Sequence, residues 1–378
     1  MISNFWAWAA IGRAVRRQSI GAQDEGGGGT SAADERATDP TELVDTCFFV
    51  LQSSLRRAAR SCDGALCENG VRNAASLLRK VLLASLTKRL KLSLSSKLAG
   101  AAIASAQGAL ASAADTAVGG AAMAVATAKG TTQSLAGRAG QSQVGLLRAL
   151  SALQLCTGYT PRLWAQAADD FGRSLPPPAL APLRAALKDA GSGLAAFEAA
   201  LDGGIRELAS SLMPRLRPRL EAFGSSSHVL QTEAAFGAAE ADSFTPYLVG
   251  ELEAVLRSLS PALAEGARDV LLGALVCLCA ERLEALVLAK QFDQFGALQF
   301  DRDVRALGRR LADLSQRPVR EHLARLGQMS ALLNLEREAE AVELWTAAGW
   351  RLSPDEAKQV LNLRVEFRED RIVALNLR

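Results

Sequence analysis

The sequence predicts an almost all-α protein, and three observations carry that prediction. Hydrophobic residues make up 49% of the 378 but aromatics only 5%, so the apolar content is mainly alanine and leucine. These favour helix, whereas strands want β-branched and aromatic side chains. Apolar residues recur at steps of three and four through most of the chain. Helix-start signals recur with one chemistry, a capping side chain followed by proline.

The elements follow in order. Residues 1–38 open with the apolar, arginine-bearing MISNFWAWAAIGRAVRRQ and continue into DEGGGGTSAADERATD, whose composition predicts a flexible N-terminal tail. The first half reads either as a targeting or interfacial segment or as part of that tail. Asp39-Pro40 then starts a helical region, 39–160, with Leu43, Cys47, Val50 and Leu51 on one stripe. The region holds an Ala/Gly-rich insertion and the basic stretch Arg79 to Leu98, where Lys80, Lys88, Arg89, Lys91 and Lys97 interleave with leucines. That stretch reads as a packed helix with a solvated basic face or as a helix lying on an acidic membrane.

Thr160-Pro161 predicts the start of a helical bundle over 161–290, with further starts at Thr245-Pro246 and Ser260-Pro261. Breaks are expected at SLPPPALAP (Ser174 to Pro182) and at MPRLRPRLEAFGSSS (Met213 to Ser227). Leu248, Leu252, Val255, Leu256 and Leu259 make one stripe. The run from Arg268 to Lys290 is apolar over much of its surface and predicts a buried helix. A small C-terminal helical bundle covers 291–378. There Phe295-Gly296 reads as a break, and Val304, Leu307, Leu311 and Leu314 place Asp301 as an N-cap with Asp303 in the first turn. SPDE (Ser353 to Glu356) carries a capping box. LRVEF (Leu363 to Phe367) alternates briefly, but a strand needs a partner and none is evident.

Catalytic arrangements are scarce. The six cysteines form no C-x-x-C pair and no N-x-S/T site is present, which fits a reduced compartment. Two histidines, His228 and His322, are too few for the usual zinc site or histidine-based catalysis. No phosphate loop, nucleophile elbow or H-E-x-x-H helix occurs. VLLGALVCLCA (Val270 to Ala280) is about half the roughly 20 residues of a membrane span. A net charge of +3 gives no argument for nucleic acid. Neither an enzyme nor a metal or cofactor is expected.

The C-terminal part is distinctive as a string. FGALQFDRDVRAL, REHLARLGQMSALLNLEREAE and WRLSPDEAKQVLNLRVEFRED resemble, in order and spacing, the end of subunit four of the conserved oligomeric Golgi complex. Upstream, SLSPALAEGARDVLLGALV, AFGSSSHVLQTEAAF, ELVDTCFFVLQSSLRRA and LLASLTKRLK are colinear with that family. The resemblance covers about 39–378 and is strongest from Pro246 onward. Family members carry a substantial N-terminal half that this chain lacks, so it resembles a C-terminal fragment or truncated gene product. The composition of Gly100 to Gly140 also departs from the family's.

The resemblance implies stacked helical bundles forming an extended rod, as in multisubunit vesicle-tethering complexes. It implies a non-catalytic subunit supporting intra-Golgi retrograde vesicle transport, peripheral on the cytosolic face of the Golgi membrane and in the cytoplasm. Implied partners are the other subunits of that complex, SNARE and Rab proteins, and the Golgi membrane surface. A peripheral membrane-binding protein acting through the basic helix 79–98 is the alternative.

Two candidate sites lie in the strongest block. Leu323, Leu326, Met329, Leu332 and Leu333 form an apolar stripe with Arg325 at its edge. Arg325 is either a solvated residue or a clamp between helices, with Glu356 as its candidate partner; Glu356 could instead simply close its own capping box. Trp345 and Trp350 flank a small-residue turn, either as partner-facing anchors or as packing for the last helices.

Overall fold

The structure, a computed structural model, describes residues 39–94, 122–241, 243–315, 318–346 and 349–377, with side chains described except at 122–142 and 240–241. The expected tail 1–38, Lys97 and the first half of the Ala/Gly-rich stretch lie outside the described residues. Among the described residues there is no β-strand, only two isolated bridges, so the chain is all-α. It divides into two compact units: Met1–Gly204 with Ala262–Ala267, and Ile205–Pro261 with Arg268–Arg378.

In the first unit, α1 (Pro40–Arg60) is capped by Asp39, whose Oδ1 accepts from Thr41 N at 2.9 Å. Asp63 caps α2 (Gly64–Leu77), which runs through a π-helical turn at Leu78–Leu83 into helical residues 84–94. Leu82, Leu86 and Leu90 are buried there while Lys80, Lys88 and Lys91 are exposed. This is the packed helix with a solvated basic face. The long α3 (Ala122–Ser174) packs on α1. Phe48 meets Tyr159 edge-on at 5.4 Å, Gln52 bonds Gln166, and Arg56 reaches Asp170 at 3.7 Å. These contacts advance in step, so the two helices run in the same direction. α4 (Pro177–Ser192) closes against α2 and α3.

Pro161 begins no helix; it lies inside α3. Leu153, Cys156, Thr160, Leu163, Trp164, Ala167 and Phe171 are buried on both sides of it, while Pro161 itself is exposed. An interior proline costs a helix about 3 kcal/mol. Burying several large side chains at roughly 1.5–3 kcal/mol each outweighs that. The expected break at Met213 to Ser227 fails for the same reason. α5 (Leu194–Ser225) passes through Pro214 and Pro218, both exposed, while Leu208, Leu212, Leu216, Leu220 and Phe223 continue its buried stripe.

The second unit continues with α6 (Glu233–Ala241) and α7 (Thr245–Leu259), followed by α8 (Glu265–Leu288) and α9 (Gln294–Leu314). Ser260 is the C-cap of α7, not the N-cap of a helix, and its hydroxyl returns to Leu256 O at 3.0 Å. A 3-10 turn (Arg320–Leu323) precedes α10 (Ala324–Leu333), α11 (Glu340–Trp345), α12 (Pro354–Leu361) and α13 (Glu369–Ala374).

Asp301 and Asp303 lie inside α9, whose N-cap is Asp293. Asp293 Oδ1 accepts from Gly296 N at 2.7 Å, and its Oδ2 takes Leu230 N and Gln231 N at 2.7 and 2.6 Å. The helix therefore starts two turns before the hydrophobic spacing suggested, and Phe295-Gly296 is its first turn. A Cβ on Gly296 would fall on the carbonyl group of His228. That carbonyl accepts from Asp293 N at 3.0 Å, so only glycine lets the two backbones meet so closely. Phe292 also finds LRVEF its partner: Phe292 N donates to Leu363 O at 2.8 Å, and Val365 N to Phe292 O at 3.0 Å. Phe223, Phe292, Phe300 and His228 pack at this corner with ring centroids 4.9–5.9 Å apart.

Candidate functional site

Nucleophilic and metal chemistry find little footing among the described residues. No group of three or more His, Cys, Asp or Glu could hold a metal ion. Burial pushes the thiols of Cys47 and Cys279 up to about 12 and that of Cys67 to about 11, the opposite of thiolate activation. Burial, then Lys290, pulls His228 down to about 4, so it stands as a neutral ring. Among the described residues no helix is long and apolar enough to cross a membrane.

The arrangement with most polar convergence centres on Arg325, in the first turn of α10. α10 buries Leu326, Met329, Leu332 and Leu333, which turns Arg325 and Gln328, one turn apart, toward the segment between α11 and α12. Arg325 Nη2 donates to Glu356 Oε1 at 2.7 Å, Nε to Glu284 Oε2 on α8 at 2.9 Å, and Nη1 to the Arg351 carbonyl at 2.9 Å. Gln328 completes the grip. Its Nε2 donates to Gly349 O at 2.9 Å and its Oε1 accepts from Arg351 N at 2.8 Å. Gly349 takes φ +97°, a left-handed turn suited to glycine.

Glu356 serves two structures at once. Its Oε2 accepts from Ser353 N at 2.7 Å while Ser353 Oγ accepts from Glu356 N at 3.2 Å, a complete capping box. Its other oxygen is left for Arg325. Arg325 first, and the Ser353 backbone second, hold the carboxyl down at about 2, and the two carboxylates raise the guanidinium further. The Arg325 side chain is 35% exposed, Glu284 16% and Glu356 41%. The junction is half-wet, so its charges add little stability.

Trp345 and Trp350 stack on each other with centroids 4.7 Å apart and planes at 21°. Trp350 Nε1 donates to Leu344 O at 3.3 Å. Both rings are half-buried, so each supports the other and keeps an edge to solvent.

Glu284 and Gln328 escaped the sequence reading. Spacing shows which residues share a helix face, but Glu284 belongs to another helix, 41 positions away from Arg325. Gln328 was legible only as a polar residue on the same face as Arg325.

Comparisons with known proteins agree with this architecture. The solved C-terminal domain of the exocyst subunit Sec6p superposes with a TM-score of 0.62 at 11% identity, covering 99% of this chain and 87% of that one, a likeness of fold. Conserved oligomeric Golgi complex subunit 4 of Arabidopsis thaliana is 34% identical over 200 residues, 52% of this chain and 27% of the relative. The Mus musculus subunit 4 is 36% identical over 187 residues, 48% of this chain and 24% of the relative; that of Drosophila melanogaster is 31% identical over 189. The chain thus spans about a quarter of the length of these curated relatives. The family model for conserved oligomeric Golgi complex subunit 4, C-terminal, matches residues 148–359, more than half of the chain. This protein belongs to the family of conserved oligomeric Golgi complex subunit 4.

Proposed function

We propose that this chain is a non-catalytic scaffold within the conserved oligomeric Golgi complex, supporting intra-Golgi retrograde vesicle transport through protein–protein contacts. The family match across 148–359 carries this reading. The other subunits of the complex are its proposed first partners, SNARE and Rab proteins its proposed second, and the cytosolic face of the Golgi membrane its proposed station. Buried thiols and a neutral, caged histidine fit a role without bond chemistry. The Arg325 junction, with Glu284 and Glu356, is proposed to fix the angle of the last helices, and the Trp345–Trp350 stack to offer a rigid aromatic edge to a partner.

Expression of the tagged chain in a eukaryotic cell, followed by affinity capture, tests this. Recovery of named subunits of the Golgi complex, with the chain at the Golgi by microscopy, is the expected outcome. Capture free of every such subunit, with flotation of the pure chain on acidic liposomes, would overturn it in favour of the basic helix acting alone.

A further inference from the structure

The second unit holds a cavity of about 280 Å³ that the Arg325 junction does not use. Its inner wall is formed by Gln299 and Asp303, one turn apart on α9 and only 4% and 5% exposed. Phe223, Phe244 and Tyr247 supply aromatic sides, and the exposed Arg219 stands where the cavity opens.

The wall is chemically one-sided. Asp303 Oδ1 accepts from Ser243 Oγ at 2.7 Å and from Gln299 Nε2 at 3.2 Å. Both donors are neutral, and both bonds go to the same oxygen. Burial dominates the carboxyl, holding it above its ordinary range, with the two hydrogen bonds only partly opposing this. Gln299 Oε1, buried beside it, has no hydrogen-bond partner. No cation is among the groups that act on Asp303: of the basic residues that line the cavity, Arg219 is exposed and His228 is a neutral ring.

An occupant that bonds the Asp303 carboxylate brings positive charge and N–H donors, on a group flat enough to lie among aromatic rings. A guanidinium meets all three conditions. The volume lies below the roughly 300–1,000 Å³ typical of pockets for drug-sized ligands, which suits one side chain. Arg219 at the opening repels a run of positive charge and favours a carboxylate beside the inserted group. We propose that this cavity receives an arginine side chain from a partner protein segment in which the next residue is acidic. This deepens the reading of the chain as a contact-making subunit.

The test titrates the full chain, labelled with ¹⁵N-glutamine, with the blocked dipeptide Arg-Glu, watching the Gln299 side-chain amide. A saturable shift is expected with Arg-Glu, at least about tenfold weaker with citrulline-Glu, the uncharged isostere. The shift should vanish in Asp303→Asn, whose side chain can still accept from Ser243. Should that variant unfold, the exposed Arg219→Ala serves instead: it should bind Arg-Glu and Arg-Gln equally, whereas the native chain prefers Arg-Glu. Equal shifts with arginine and citrulline, or no saturable shift at roughly 10 mM probe, would overturn the proposal. Equal binding of Arg-Glu and Arg-Gln by the native chain would overturn the acidic neighbour. A failed titration leaves the capture experiment above unaffected, and a failed capture leaves this cavity standing with a partner outside the Golgi complex.

Discussion

The two units bury different chemistry. In the first, the described buried polar residues are Ser151 and Thr160. Both are neutral hydroxyls: Thr160 returns to Cys156 O of its own helix at 2.7 Å, and Ser151 donates to Leu147 O at 3.0 Å while accepting from Ala264 N at 2.8 Å. The second buries His228, Asp293, Asp303, Glu338 and Arg364, and these reach other elements. Arg364 donates to the Leu333 and Leu335 carbonyls at the end of α10, where a cation complements the helix dipole. Glu338 pairs with Arg371 at 3.2 Å. Apolar faces tolerate small shifts of one helix on another. Buried directional bonds do not, because a misplaced partner leaves a desolvated group unsatisfied. The second unit is thus the part in which, among the described residues, buried charged and titratable groups help to set the internal angles.

Paired glycine substitutions put the largest strain on that contrast. Gly296→Ala, set against the His228 backbone, should cost about 4 kcal/mol or more in chemical denaturation, or prevent folding. Gly204→Ala in the first unit meets leucine methyls, Leu150 Cδ2 at 2.7 Å and Leu90 Cδ2 at 2.9 Å. These can turn aside, so it should cost about 1–2 kcal/mol. Equal losses would break the distinction.

Acidification should single out His228. Its pKa in the folded chain is about 4 against an ordinary 6.5, so below 6.5 the unfolded chain takes up a proton that the folded chain refuses. Stability contributed by the neutral ring is therefore lost as pH falls from 6.5 to about 4, by up to roughly 3 kcal/mol. His228→Phe, which keeps a ring against Phe223 and Phe292, should flatten that slope. An unchanged slope in denaturation midpoints would show that the ring is not held neutral.

The smallest effect is expected at the half-wet junction. Arg325→Ala should lower stability by about 1–2 kcal/mol. Glu356→Gln, which can still close the capping box, should lose less than Glu284→Gln, because Glu284 is the less exposed carboxylate. Identical melting curves for native and Arg325→Ala chains would remove the clamp.

Much of the helix content was legible because it rests on local patterns. The stripe of α7, the buried run of α8, and the caps at Asp39 and Ser353 all follow from spacing and short-range hydrogen bonds. Prolines misled at Pro161, Pro214 and Pro218, where exposure of the ring and burial of the opposite face outweigh the local penalty. Asp293 was hidden because its donors come from Leu230 and Gln231 as well as from its own helix. Arg325 and Glu356 could be paired by chemistry, but Glu284 could not be added without the fold.

By itself the sequence determined that this protein is helical, which helix faces are apolar, and to which family it belongs, since these depend on periodicity and on the order of residues along the chain. Tertiary structure decided where helices pass through prolines, which carboxylates meet Arg325, and that Gln299 and Asp303 share a cavity wall. Those outcomes depend on which groups lose water together, and that is settled by residues distant in sequence.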